Sequence, residues 1–357
     1  MTTKSSVLLE RPQFLKPQIS LARPTAARMW FVNLCAFMAV IQSSLGDSFS
    51  SLMVALSAVA ASVLTEFFFL YYKGEKTKVL KDGSAVASAL ILTLLLPNRI
   101  SPVYAAAGAT FAMAVIKHSF GGLGSNWLNP AAGGWLFIRF SWPASFRSAL
   151  EGSPLSLLAE NLSRGGADLQ GSPLAEMLRS FLNKTIFSFT GAELPEGYID
   201  LFASRFPGII ADRGGLALLL GTIIITASQV NRSWIPAVYL AVFGILVRFA
   251  GALPYGGSPG NGDVLFALCT GGTLAAAFFL AADPATGAKS NWGILLAVAA
   301  GGVIAFFSRF YGAEAYGVIF AVVFVNGLLP LIRIFEAHRF YNHCSTTIVS
   351  VKSGDKS

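Results

Sequence analysis

A chain of 357 residues that is 54% hydrophobic and only 12% charged departs from an ordinary soluble domain, in which about a quarter of residues are charged. Its apolar residues fall in repeated runs of about 17 to 22, the length at which a helix crosses about 30 Å of hydrocarbon, so a water-soluble domain and a closed barrel are both excluded. The net charge of +8 does not point to nucleic acid, because the basic residues sit between apolar runs and are not interleaved with aromatics on a polar face.

The segment before Trp30 holds Lys4, Arg11, Lys16, Arg23 and Arg28 without a small-residue cleavage pattern, so residues 1–28 are expected to form a cytoplasmic arm and not a signal peptide. Apolar runs bounded by Gly, Pro and charge then predict spans over 29–46, 51–72, 84–97, 103–119 and 130–143. The third and fifth, about 14 residues each, are too short for simple rods and are expected to be tilted, re-entrant or broken.

Residues 144–213 interrupt this pattern as a large loop, external by span parity. Within it Leu174, Met177, Leu178, Phe181 and Leu182 recur at helical spacing after Pro173. The preferred reading is a helix that covers its own protein; the other is a helix lying on the membrane or on a partner. A second group of spans follows at 214–229, 234–252, 264–282, 291–308 and 316–333, and a basic tail occupies 334–357.

The expected fold is therefore an all-α polytopic membrane protein with about ten transmembrane helices, divided into five-helix halves at 29–143 and 214–333. An odd number of spans per half makes the halves inverted repeats. Each third span opens with Asp and Gly (Asp82-Gly83-Ser84; Asn261-Gly262-Asp263) and is followed by a proline, Pro97 or Pro284. With the N-terminus inside, the cytoplasmic segments collect Lys73, Lys76, Lys78, Lys81, Lys117, Arg232, Lys289, Arg333, Arg339, Lys352 and Lys356, whereas the short external connections hold only Arg99 and Arg309. That asymmetry places both termini in the cytoplasm.

The segment Lys117 to Ala131 is rich in Gly and Asn. Gly122 and Gly124 permit unwound backbone, and Asn126 and Asn129 are three apart, so both amides could face one side of a pocket for a neutral heteroaromatic ring. The spacing fits a polar hairpin with helix-capping Asn side chains equally well. The glycines do not follow G-x-G-x-x-G, so no dinucleotide site is expected. Ala282-Asp283-Pro284-Ala285-Thr286-Gly287 is the counterpart in the second half.

Ionisable groups inside spans are costly. Glu66, well inside the second span, is expected either on an ion path or paired with a neighbouring Arg or snorkelling. Arg139, Arg248 and Arg309 near span ends are expected to snorkel, and His118 to be a solvated residue at a span end. Cys35, Cys269 and Cys344 lie too far apart for a disulfide framework or a four-thiolate cluster, and no metal site is expected.

Several ordered motifs carry a family resemblance: Lys81-Asp82-Gly83-Ser84-Ala85, the Gly-Gly-Leu-Gly-x-Asn-x-x-Asn-Pro-Ala of 121–131, Phe279 to Thr286, and Val325 to Ile332. Together, over about residues 71–335, they resemble the family that contains the D subunit of the Rnf electron-transport complex and the B subunit of the sodium-translocating NADH:quinone reductase. The short arm is more similar to the Rnf member. The resemblance implies a urea-transporter-like fold and a role in passing electrons through flavin while a complex moves Na⁺ or H⁺ across the cytoplasmic (inner) membrane. It implies that Asn126 and Asn129, with Gly122, Gly124, Asp283 and Thr286, line a riboflavin-type pocket. Electrons would come from membrane, iron–sulfur and flavin subunits, since this chain alone can neither take hydride from NADH nor hold a cluster.

One departure from the family stands out. Its members commonly bind FMN through a phosphoester to the Thr of Ser-Gly-Ala-Thr in the external loop, but here the stretch reads Thr190-Gly191-Ala192-Glu193. A carboxylate cannot form that bond. Thr190 leaves a shifted attachment as the lesser alternative, and the expectation is that covalent FMN is absent and any riboflavin or FMN is held non-covalently. Rival functions are a channel or carrier for a small polar solute and a flavin-free structural subunit.

Overall fold

The computed structural model describes residues 25–45, 49–74, 81–122, 124–148, 173–185, 187–189, 191, 193–194, 196–202, 208–228, 232–283, 286–312 and 316–354. Among these the elements are helical, apart from one isolated bridge between Pro97 and Ile209. Five helices are long and apolar enough to cross a membrane: Ala26–Leu45, Ser50–Tyr72, Trp234–Tyr255, Asn291–Phe310 and Gly317–His338. Ser84–Leu95 and Gly215–Ala227 are apolar but shorter. The chain is thus a helical membrane protein.

In chain order the first half holds α1 (Thr25–Leu45), α2 (Ser50–Tyr72), α3 (Ser84–Leu95), α4 (Pro102–Phe111), which runs into a π-helical segment Ala112–His118, and α5 (Pro130–Ser141). The prolines at the head of α4 and α5 lack the N–H that a first-turn residue would leave unbonded anyway. The helices at the positions expected for the third and fifth spans are short, with 12 residues in each of α3 and α5. Helices α4 and α5 approach closely through Gly108 and Gly134: a Cβ on Gly134 would sit 2.7 Å from the Gly108 carbonyl oxygen, and one on Gly108 would strike Ile138.

After α6 (Pro143–Ser148), the loop contains α7 (Pro173–Thr185), α8 (Tyr198–Phe202) and α9 (Ile210–Arg213). The helix after Pro173 is present, but its apolar face does not cover the protein. Met177, Leu178 and Phe181 are exposed, because Arg179 and Asn183 on the other side hold α7 to the Leu194–Glu196 stretch through Arg179–Glu196 and Asn183–Leu194 hydrogen bonds.

The second half comprises α10 (Gly215–Ala227), α11 (Trp234–Ala250), α12 (Val264–Cys269), α13 (Thr273–Ala275, continuing as a π-helical turn over Ala276–Leu280), α14 (Asn291–Phe310) and α15 (Gly317–Gly354). Two boundaries differ from the sequence reading. The run 264–282 is not one helix but breaks at Thr270–Gly272, where Gly271 and Gly272 adopt φ of 69° and 73°. Residues 334–354 continue the last helix through Pro330 rather than forming a separate tail.

Helix α1 joins the halves by packing on α10. Cβ atoms added to Gly214 and Gly221 would meet Ala39 and Cys35, and the Gln42 side-chain oxygen accepts the Ala217 N–H at 2.6 Å.

Candidate functional site

The site is assembled at the ends of α5 and α13. Asn129 caps α5, its Oδ1 accepting the Ala131 and Ala132 N–H groups at 3.0 and 3.4 Å. Its Nδ2 then donates to Asp283 Oδ2 at 2.9 Å, and Thr286 Oγ1 donates to the same oxygen at 3.1 Å. Asn129, Asp283 and Thr286, named from the sequence, therefore converge. Asn129 thus caps a helix, as the hairpin reading expected, and also holds the Asp283 carboxylate.

Asn126 is buried, with its Oδ1 lacking a hydrogen-bond partner. Gly122 and Gly124 have φ of 96° and 90°, conformations that residues with a Cβ rarely adopt, so the backbone here is unwound as expected. Thr190 lies outside the described residues. Glu193 is exposed.

A cavity of about 350 Å³ opens beside the cluster. Asp283 and Thr286 line it, whereas Asn126, Asn129, Gly122 and Gly124 do not; Asn129 stands behind Asp283. The inner wall is apolar, with Leu280, Ile294, Val298 and Leu329. Two buried polar atoms interrupt it, the Tyr239 hydroxyl and Asn326 Nδ2, and neither has a hydrogen-bond partner. Such groups are costly unless a ligand or water satisfies them. Sequence reasoning placed Asn326 only within a motif and missed Tyr239, which looks like any aromatic in an apolar run.

The second constellation is ionic. Lys117 Nζ lies 2.5 Å from Glu66 Oε1 and 2.6 Å from Ser84 Oγ, with Lys117 2% and Glu66 4% exposed. Two expectations are corrected. Lys117 is not a cytoplasmic loop residue, and the partner of Glu66 is this Lys rather than an Arg. The lysine lies in the π-helical segment that ends α4, a form frequent at functional sites. Glu66 Oε2 and Ser62 Oγ are buried there without partners. His118 is not solvated but buried, its ring stacked on Phe69 with centroids 4.7 Å apart.

Arg309 also departs from expectation. Rather than snorkelling, it is 1% exposed and enters the break between α12 and α13. There it donates to the carbonyls of Ala267 and Thr270 at 2.6 and 3.0 Å and to the hydroxyls of Thr273 and Thr270 at 3.0 and 2.5 Å. The Asp212 carboxylate accepts the N–H groups of Gly271 and Gly272 at 2.9 and 2.8 Å. Backbone groups freed by the break are thus satisfied from within the protein, as hydrocarbon requires. Among the described residues no cluster of three or more His, Cys, Asp or Glu is placed to hold a metal.

A family model described as NQR2, RnfD, RnfE matches residues 14–342. The chain is 28% identical over 323 residues to the D subunit of the proton-translocating ferredoxin:NAD(+) oxidoreductase complex of Clostridium ljungdahlii, covering 89% of this chain and 92% of that one. It is 32% identical over 309 residues to the D subunit of the ion-translocating oxidoreductase complex of Alcanivorax borkumensis, covering 83% and 86%. It is similar to the protein of the same name from Vibrio cholerae at 29% over 347 residues, covering 92% and 98%.

Proposed function

The chain belongs to the NQR2, RnfD, RnfE family, and from that premise we propose that it is a membrane subunit of an ion-translocating, Rnf-type oxidoreductase complex that passes electrons through a non-covalently held flavin. The observation that carries the flavin reading is the cavity beside Asp283 and Thr286, with the Tyr239 hydroxyl and Asn326 Nδ2 buried and unsatisfied in its wall. An isoalloxazine edge presents acceptors and an N–H donor, the complement of a hydroxyl, an amide N–H₂ and a carboxylate. A cavity of about 350 Å³ lies within the range of cofactor sites.

When bound, a flavin supplies the one- and two-electron chemistry that no side chain here supplies. The protein's part is positioning. Asn129 and Thr286 fix the Asp283 carboxylate, Tyr239 and Asn326 orient the polar edge, and Leu280, Val298 and Leu329 exclude water. Asn126, which does not line the cavity, has a buried Oδ1 without a partner. Na⁺ or H⁺ translocation is assigned to the region of Glu66, whose second oxygen and the nearby Ser62 hydroxyl remain available for coordination or proton exchange.

The same reading includes about ten spans in two inverted halves, 29–143 and 214–333. It is supported by α3 and α13 each starting at a left-handed glycine, Gly83 at φ 68° and Gly272 at φ 73°, each followed by a proline, Pro97 and Pro284. This moves the matching point in the second half from Asn261-Gly262-Asp263 to Gly272. The reading further includes the inner membrane as location, with the arm 1–28 and the end 334–357 in the cytoplasm and the loop 144–213 outside, an orientation supported by the distribution of basic side chains along the sequence. Electrons reach it from sister membrane, iron–sulfur and flavin subunits.

The deciding experiment is the visible absorption of the purified protein, with extraction to separate free from attached flavin. Extractable flavin is the expected result. No flavin with solute flux in liposomes would replace this reading with a channel or carrier. No flavin and no flux, with retained binding to sister subunits, would leave a purely structural role.

A further inference from the structure

The motif Asp82-Gly83-Ser84 at the head of α3 lies apart from the cavity and meets the Glu66–Lys117 pair instead. Ser84 Oγ donates to Asp82 Oδ1 at 2.9 Å, and the same carboxylate oxygen accepts the Ser84 N–H at 3.0 Å. With its proton turned to Asp82, the hydroxyl offers its lone pairs to Lys117 Nζ, 2.6 Å away. Glu66 Oε1 accepts from the same ammonium at 2.5 Å. Ser62, one turn before Glu66 on the same face of α2, is 1% exposed. The row Asp82, Ser84, Lys117, Glu66, Ser62 thus starts at a half-buried residue and ends at buried ones. Its inner end carries two oxygens without a hydrogen-bond partner, Glu66 Oε2 and Ser62 Oγ.

Two carboxylates in this row, Asp82 and Glu66, stand against one ammonium. The basic residues that flank it among those described, Lys73 after α2 and Lys81 before Asp82, are exposed, where water screens them. His118 is turned onto Phe69. One monovalent cation therefore balances the row. Carboxylate and hydroxyl oxygens are the donors that hard cations take, and buried oxygens of this kind are costly unless something satisfies them. The Lys117 ammonium rides on a flexible four-carbon stem, and Asp82 lies one hydroxyl beyond it. A shift from Glu66 to Asp82 would keep that ammonium paired while freeing both Glu66 oxygens.

We propose that Glu66, Ser62 and Ser84 form a binding site for a monovalent metal cation, and that Lys117 is a tethered cation which the incoming ion displaces from Glu66 onto Asp82. In the loaded state the two carboxylates pair with one ammonium and one metal ion. On the orientation proposed above, Asp82 stands at the cytoplasmic end, so the ion enters there. The proposal rests on the assignment of ion movement to the region of Glu66 and specifies a metal cation in place of a proton.

The test is the melting temperature of the full chain, purified in an uncharged detergent and titrated with NaCl at an ionic strength held constant with choline chloride. Na⁺ should raise the wild-type melting temperature saturably. Lys117→Met should lower the half-saturating Na⁺ concentration on the order of tenfold, because an ammonium seated on Glu66 withholds the site for most of the time. Asp82→Asn keeps the oxygen that Ser84 needs but loses the charge that receives Lys117, and should raise that concentration severalfold. Ser62→Ala and Glu66→Gln should lose the response. Equal melting in Na⁺ and choline for wild type and Lys117→Met overturns the proposal; if redox-driven uptake still depends on Glu66, the reading of that region stands with H⁺ as the ion. A response that persists in Glu66→Gln, or a half-saturating concentration unchanged in Lys117→Met, overturns it as well. Should Lys117→Met fail to melt cooperatively, Asp82→Asn decides, an unchanged half-saturating concentration counting against the displacement.

Discussion

Lys117 Nζ lies 2.5 Å from Glu66 Oε1, and both side chains are almost fully buried between α2 and the π-helical end of α4. A buried pair of this kind adds little net stability over an apolar pair, but breaking one side leaves an uncompensated charge. Lys117→Met alone is expected to destabilise the protein by about 3–5 kcal/mol, and Glu66→Gln/Lys117→Met by far less. Thermal unfolding of the purified variants measures this; losses that simply add would mean that the two groups are not coupled.

Ion movement is the second expectation. With Glu66 Oε2 and Ser62 Oγ unsatisfied beside the pair, Glu66→Gln removes the carboxylate charge that faces Lys117. Redox-driven ion uptake by liposomes containing the whole complex should fall, while the complex stays assembled. An unchanged rate would reduce Glu66 to a structural partner of Lys117.

The break between α12 and α13 depends on Arg309. Arg309→Ala strips four hydrogen bonds from buried carbonyls and hydroxyls, with an expected loss of about 3 kcal/mol or more. Guanidinium at millimolar concentration should restore part of the melting temperature of that variant and do nothing for wild type. A variant as stable as wild type would show that the break satisfies itself.

Asn129 serves two elements at once. Asn129→Ala removes the α5 cap, worth about 1 kcal/mol, and also the donor that fixes Asp283. Asn129→Asp keeps a capping oxygen but sets a second carboxylate against Asp283, so it should retain less flavin than wild type while holding more of the helix than Asn129→Ala. Flavin content and melting temperature, measured side by side, separate the two roles.

Covalent attachment is the last. Glu193 is exposed in the loop, and its carboxylate cannot make the phosphoester that a threonine there would make. Intact mass after denaturation should equal that of the unmodified chain; flavin still attached would sink this and point to Thr190.

Much of the architecture was legible because membrane insertion is governed by local apolar length. The spans near 51–72, 234–252 and 291–308 correspond to long apolar helices, and the short third and fifth spans were expected from their length. The helix after Pro173 was legible as periodicity, but its exposed Met177, Leu178 and Phe181 were not, since periodicity does not say what an apolar face meets. The break at Gly271 and Gly272 was missed because the runs on either side of Thr270-Gly271-Gly272-Thr273 are apolar and hydropathy does not register backbone conformation.

Of the site, Asn129, Asp283 and Thr286 were named in advance, as members of two motifs. By itself the order of amino acids determined that this chain is a helical membrane protein of the NQR2, RnfD, RnfE family, with Gly- and Asn-rich interruptions, since hydropathy, glycine content and motif order are all local properties. Only the tertiary structure decided that Lys117 meets Glu66 across 51 residues and Asn129 meets Asp283 across 154. It likewise decided that Arg309 turns inward. Where water is absent each buried charge or amide must find a partner, and which partner it finds depends on helix packing that no local pattern encodes.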